Sequence, residues 1–309
     1  MRNELSRALS SADVKVQYDT QCKRVLSQKQ ILAWILKHTA EEFENLTLEE
    51  IENCIEEKPE ISSIRVNPGE TNETIIGSST ENAVSGEGAI FFDIRFVAHV
   101  PRVEEKIRLI INIEAQKEYY PGYQIQTRGI FYGARMISAQ LGMEFADSDY
   151  DRIKKVYSIW ICMDTPAYVG NAITVYSISK RDIVPGFPDI KESYDKMSVI
   201  EIGLNEKART ENQFLQMMNV LLSAKTECRT KKKILTNQFG IRMENSLIRE
   251  VDLMCNLSGY VEKLGIEKGE NNLGKLISIL LKQGELENIR LVSEDEQIRK
   301  EFYKKYGII

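Results

Sequence analysis

Cysteine is sparse and unpaired in this sequence. Its five cysteines, Cys22, Cys54, Cys162, Cys228 and Cys255, are an odd number, widely scattered, and no two form a CxxC pair. That usage argues against a disulfide framework and a structural zinc site, and it fits a reducing cytoplasm, the location expected here. Histidine is scarcer still. His38 and His99 are the only two and are not spaced as a ligand pair, so both are read as structural, although His99 shares a strand face with Asp93. Neither a Ser-His-Asp nor a Cys-His arrangement has support. No P-loop or GxGxxG occurs, which excludes the usual signatures of a nucleotide cofactor. No apolar run approaches the ~18–20 residues needed to span a bilayer. Residues 1–15 alternate charged and polar groups without the apolar stretch of a signal peptide, so no membrane partner is expected. No internal repeat is evident.

What the chain does contain is an ordinary globular composition, 42% hydrophobic and 28% charged over 309 residues. That suffices for one large domain plus an extension. The net charge of −5 counts mildly against nucleic-acid binding as a whole-molecule property. Phosphate contacts need only a local basic surface, however, and metal-binding carboxylates would themselves add negative charge.

Ser27 with Gln30, and Thr47 with Glu50, have the spacing of capping boxes ahead of apolar helix faces. Residues 66–89 turn to Gly, Asn, Ser, Thr and Pro and read as loop with at most one short strand. Strand-like runs follow at Ile90–Val100 and Lys106–Lys117, around a turn at Pro101–Glu105. After Pro121-Gly122, a helix is expected over Gln124–Leu141, with Gly142 at its C′ position. Further strands are expected at Val156–Met163, Ile173–Ser179 and Ser198–Leu204, and a helix at Asn212–Ala224. A basic run with Lys225, Arg229, Lys231, Lys232 and Lys233 then opens a helix-patterned tail. Such runs are usually solvated linkers; contact with DNA is the alternative. The expected architecture is an α/β core over residues 1–224, with N-terminal helices, and a helical C-terminal region over residues 225–309.

The chemistry-bearing residues lie on the hairpin. Along Lys106–Lys117, Leu109, Ile111 and Ile113 face one way and Ile110, Asn112, Glu114 and Gln116 the other. Apolar residues on both faces predict a strand covered on both sides, with Glu114 and Gln116 emerging at its C-terminal end. A hairpin turning at Val103-Glu104 pairs residues whose numbers sum to 207, which sets Asp93 opposite Glu114. Opposed residues have Cβ atoms ~4.5–5.5 Å apart, close enough for two carboxylates to share an ion. Two like charges at that distance need a cation between them. Mg²⁺, a hard ion held by one or two carboxylates with phosphate and water, is the natural choice. The bland alternative is a pair of solvated strand-end carboxylates.

The run FFDIRFVAHVP…IRLIINIEAQKEYYPGYQIQTRGIFYGARMISAQ resembles the PD-(D/E)XK nuclease superfamily. Within it, the sequence is similar to the recombination-promoting nuclease / putative transposase family, as is the opening segment YDTQCKRVLSQKQILAWILK. The resemblance covers roughly residues 15–225. It implies a restriction-endonuclease-like fold, a central mixed β-sheet flanked by helices, with a helical C-terminal extension. It implies Mg²⁺-dependent (or Mn²⁺-dependent) endonuclease activity on DNA, connected with transposition or recombination. Asp93 and Glu114 would be the metal ligands and Gln116 the third motif position, where the wider superfamily usually has Lys. A Gln can orient the attacking water but adds no positive charge. Lys117 faces away unless a β-bulge turns it.

Other residues are candidates for auxiliary roles. Arg128 and Tyr132, four apart on the following helix, with Arg135 two turns from Arg128, could contact phosphate or form a solvated face. Gly129 and Gly133 read as devices for close helix–sheet packing. Asp19 and Lys23, in the opening segment, could add a ligand or phosphate contact or form a simple i,i+4 pair. A homodimer would suit a double-strand cut with one site per chain. The competing reading is a nuclease fold whose catalysis has lapsed, acting as a DNA- or protein-binding module; the missing Lys favours it and the intact carboxylate pair opposes it.

Overall fold

The computed structural model describes residues 17–56, 60–61, 81–84, 88–91, 93–101, 106–116 and 119–308. Residues 17–26 form helix α1, and Lys29–Thr39 forms α2, which buries Ile31, Leu32, Ala33, Ile35 and Leu36 completely. The capping box expected at Ser27 and Gln30 is absent. Helix α1 already runs up to the turn, so the Ser27 hydroxyl donates to the Arg24 carbonyl, one turn back. Gln30 instead trades hydrogen bonds of 2.9 and 2.8 Å with the Arg242 backbone. The second device forms as expected: Thr47 and Glu50 cap each other's backbone amides at the start of α3, Leu48–Cys54.

The strands are β1 (Glu60–Ile61), β2 (Glu81–Val84), β3 (Gly88–Phe91), β4 (Ile94–Pro101), β5 (Lys106–Gln116), β6 (Val156–Cys162), β7 (Ala172–Ser177) and β8 (Met197–Gly203). Six make one mixed sheet in the order β1-β4-β5-β6-β8-β7, while β2 and β3 pair separately. The run expected as one strand over Ile90–Val100 is therefore two strands, broken where the chain bends at Asp93. Strands β4 and β5 are antiparallel, from Ile94 opposite Ile113 to Pro101 opposite Lys106. That is the register expected from the sequence. The stretch 66–89, expected as loop with at most one short strand, instead holds β2 and the start of β3, paired with each other; the hairpin turn, the rest of 66–89 and Lys117 lie outside the described residues. Strands β5, β6 and β8 run parallel.

The sheet is covered on both faces, so its inner strands carry apolar residues on both sides, with Glu114, Ser158 and Glu201 among the polar exceptions. One face, with Ile111, Ile113, Ile159, Ile161, Ile200 and Ile202, packs into the large core with α1, α2 and α6 (Gln213–Leu222). The other, with Val156, Trp160, Cys162 and Val199, is covered by Ile125, Tyr132 and Met136 of α4 (Ile125–Ser138). Gly129 and Gly133 allow that approach. A Cβ on Gly129 would lie 2.9 Å from Trp160 Nε1, and one on Gly133 would lie 2.5 Å from Met197 Sδ. Helix α4 ends at Ser138 with Ala139 as its cap, so Gly142 is not the C′ residue. Its φ of +80° instead serves the turn before Phe145.

His38, in the last turn of α2, lies parallel between the rings of Trp34 (5.3 Å) and Phe214 (5.0 Å). Its Nδ1 is 2.9 Å from the Trp34 carbonyl. Burial pushes its pKa below the usual value, and the neighbouring Lys37 acts in the same direction. The unfolded chain thus takes up a proton at a higher pH than the folded one, so this contribution to stability is complete above about pH 6.5 and shrinks as pH falls. Denaturant titrations at neutral pH and about pH 5 should show that loss in the wild type, and a smaller one in His38→Phe.

The basic run does not form a linker. Helix α7, Cys228–Phe239, begins within it. Lys231 is almost fully buried and donates to the Leu221 and Ser223 carbonyls at 3.1 and 2.7 Å, where α6 ends. Lys232 pairs with Asp252 at 2.7 Å. One compact unit spans Val16–Cys255, and residues from Asn256 onward belong to a second. The tail is helical as expected, in α8 (Asn245–Gln283), α9 (Leu286–Glu294) and α10 (Glu296–Lys305). Within the second unit Leu276, Leu280 and Val292 form a small core with Ile289, Ile298 and Phe302. Among the described residues, no helix is long and apolar enough to cross a membrane.

Candidate active site

Asp93 occupies the bend just before β4, and Glu114 lies near the end of β5, where the hairpin register sets them opposite one another. Their side chains clasp the two backbones. The Asp93 amide donates to Glu114 Oε1 at 3.0 Å, and the Ala115 amide donates to Asp93 Oδ2 at 3.1 Å. Glu114 is only 6% exposed. A carboxylate so buried needs compensation, because desolvation of an unpaired charge is costly.

Part of the compensation is Lys23. Its ammonium, on a side chain 4% exposed, lies 2.5 Å from Asp93 Oδ1. Helix α1 thus carries the Lys23 ammonium to the pair of acids. Asp19 is half-buried one turn earlier on the same helix. The Gln116 backbone pairs with Cys162, while its side chain lies outside the described residues. Among the described residues, no group of three or more His, Cys, Asp or Glu gathers as a ligand set.

Across β6, Trp160 is the register partner of Glu114, and Glu201 on β8 is the partner of Trp160. Glu114, Trp160 and Glu201 therefore form a transverse row on the face beneath α4. Arg128 descends from α4 onto this row. Its guanidinium carbon lies 5.2 Å from the Trp160 ring centre, 5.0 Å from that of Tyr132 and 5.4 Å from that of Tyr123. Its Nη2 donates to the Tyr132 hydroxyl at 2.7 Å, and Nη1 donates to that of Tyr123. Burial opposes the Arg128 charge, but the two phenols raise its pKa above the usual value. The Tyr132 phenol is pushed up chiefly by burial, with the negative charges of Glu114 and Asp93 adding to the shift and Arg128 opposing it. Tyr132 therefore senses the acid pair and the guanidinium together.

Arg135 does not join them. It is 4% exposed, with its guanidinium 5.8 Å from the Phe131 ring centre, so it presents no surface to a phosphate. His99 pairs with Glu56 rather than with Asp93. No local pattern in the sequence marks Trp160 and Glu201, because their relation to Glu114 depends on parallel register, while Tyr123 joins the site only through Arg128.

The chain matches no family model, no curated protein and no solved structure.

Proposed function

We propose that this protein is a metal-dependent DNA endonuclease of the PD-(D/E)XK kind, with Asp93 and Glu114 as its metal ligands. The observation that carries the reading is the half-buried Asp93, in the bend before β4, clasped to the buried Glu114 of β5, beside the Lys23 ammonium and with Arg128 on the neighbouring Trp160. The strand–helix–strand arrangement of β4, β5, α4 and β6 also suits the restriction-endonuclease-like fold that the sequence resembles.

Two carboxylates, with no third gathered beside them among the described residues, fit Mg²⁺ or Mn²⁺ rather than zinc, because Mg²⁺ keeps several waters and takes further oxygens from a substrate phosphate. When bound, such an ion supplies Lewis-acid charge at the phosphate. The remaining roles belong to the chain. Glu114 is held by the Asp93 backbone amide and Asp93 by that of Ala115. Lys23 offsets the charge of Asp93. Arg128, fixed by two phenols over Trp160, offers N–H groups to a phosphate approaching along the row. Gln116, at the third motif position, orients the attacking water.

Plasmid nicking by the purified protein with Mg²⁺ or Mn²⁺, set against EDTA, tests this reading. Cutting that requires the metal supports it; a folded protein that never cuts overturns it. Arg128→Lys is expected to lower cutting by roughly 10²-fold, because an ammonium reproduces neither the planar stack nor the fork of donors. Retention of full activity in that variant would remove Arg128 from the site.

One observation favours the lapsed-nuclease alternative. Lys23 and the Ala115 amide already engage both oxygens of Asp93, so the pair can be read as a strand clasp. DNA binding that persists without metal, with no cutting under any condition, would select that reading.

A further inference from the structure

Beyond the acid pair, the Glu114–Trp160–Glu201 row runs into a cluster of tyrosines. Tyr119, three residues past Gln116, meets Tyr168 edge-to-face, with ring centres 6.4 Å apart and planes at 83°. The Tyr176 hydroxyl, on edge strand β7, donates to Glu201 Oε2 at 3.5 Å. All three rings are exposed, Tyr168 by 83%. The second oxygen of Glu201, Oε1, is buried, and the Gln126 backbone amide in the first turn of α4 also bonds to this carboxylate. Burial raises the Glu201 pKa, against the Tyr176 hydroxyl and the Gln126 backbone amide, which both favour the charged form.

Exposed phenol rings beside a sunken acceptor suit a particular ligand. An aromatic ring offers a π-face for stacking, and Glu201 Oε2, held by the long 3.5 Å bond from Tyr176, can take a further N–H donor. A nucleobase combines a flat π-face with exocyclic amino and ring N–H groups, and Glu pairs with the amino group of cytosine in known base readout. The base must be unpaired, because a duplex covers both faces of each base with its neighbours. Glu201 lies two strands from Glu114, about 10 Å across the sheet, and Arg128 sits above Trp160 between them. A strand with its phosphate at the acid pair would therefore bring a flanking base over the tyrosines.

We propose that Tyr119, Tyr168 and Tyr176 with Glu201 form a pocket for an unpaired nucleobase beside the acid pair, so that the preferred substrate is single-stranded or branched DNA. The proposal rests on the nuclease reading for its substrate, but its test requires no cutting.

The experiment is fluorescence anisotropy in EDTA, with a labelled mixed-sequence single strand of about 20 nucleotides and the same sequence as a duplex. The proteins are wild type, Tyr168→Ala, Tyr168→Phe and the Tyr119→Ala/Tyr168→Ala double variant. The high exposure of Tyr168 makes its substitution harmless to folding, and circular dichroism checks that. Wild type should bind the single strand more tightly than the duplex. Tyr168→Ala should weaken single-strand binding about tenfold, the double variant up to about a hundredfold, and Tyr168→Phe should bind as wild type does. Equal affinity for the two DNAs, or single-strand binding indifferent to both alanine variants, overturns the pocket, even if plasmid cutting remains. Weakening by Tyr168→Phe equal to that by Tyr168→Ala also overturns it, because stacking needs the ring and not the hydroxyl. Tyrosine-dependent binding by a protein that never cuts would sustain the pocket while the nuclease reading fails.

Discussion

Asp93→Ala is expected to abolish metal-dependent cutting and to destabilise the fold at the same time. The loss of activity, about a thousandfold or more, follows from removing one of two ligands that place charge at the phosphate. The loss of stability arises from Lys23. Its ammonium is buried 2.5 Å from Asp93 Oδ1, and removing the carboxylate leaves that charge without its ion-pair partner. Breaking a buried pair from one side costs about 3–5 kcal/mol. An inactive Asp93→Ala protein therefore proves little by itself, because misfolding would give the same result.

The Lys23→Met/Asp93→Ala double variant separates the two effects. It removes both charges and leaves an apolar stem where the ammonium stem lay, so it should recover most of the stability in urea titrations. It should remain as inactive as the single variant. Recovery of stability without activity assigns Asp93 a ligand's role. Recovery of both would mean that Asp93 serves only to neutralise Lys23. The metal offers an independent readout: Mg²⁺ should raise the thermal midpoint of wild type but not that of the double variant, because only a state that binds the ion is stabilised by it.

These predictions depend on residues that differed in how far the sequence revealed them. The register that opposes Asp93 to Glu114 was legible because a tight antiparallel hairpin fixes pairing locally. Glycines at 129 and 133 likewise signalled close packing, since one turn of helix repeats nearly every four residues. The contact of Lys23 with Asp93 spans seventy positions and obeys no local period, so Lys23 read equally well as a partner of Asp19. The row from Glu114 to Trp160 and Glu201 was hidden for a similar reason, because parallel strands joined by a helical crossover have no turn to set their register. Arg135 was misjudged because it flanks the stripe of Gly129, Tyr132 and Met136 that packs on the sheet, and its burial depends on how α4 is rotated. Asp93 also ended a strand that propensity alone would have continued, since its clasp with Glu114 favours a bend.

Lys155→Met should destabilise the protein by about 3–5 kcal/mol while leaving the activity of the folded fraction intact. Lys155 is 9% exposed and precedes β6. Its ammonium lies 2.7 Å from Asp195 Oδ2, 3.0 Å from Glu42 Oε1 and 3.3 Å from Glu41 Oε1. Glu42 also accepts from the Tyr157 hydroxyl at 2.5 Å. Burial opposes the lysine's charge, but Asp195 and Glu42 raise its pKa above the usual value. Removing it would leave Glu42 and Asp195, 10% and 7% exposed, as buried acids without their central cation. This network ties β6 to the Glu41–Phe43 turn and to the residue that caps the short helix α5, Lys191–Tyr194, at the start of β6, whereas Trp160 and the candidate site lie near its other end. The deficit against wild type should therefore be large in urea titrations at neutral pH and narrow as pH falls toward the carboxylate range, because protonated acids no longer need the cation. A loss below about 1 kcal/mol would class the network with solvated surface pairs. Loss of cutting at temperatures where the variant remains folded would instead mean that the start of β6 governs the row of residues at its end.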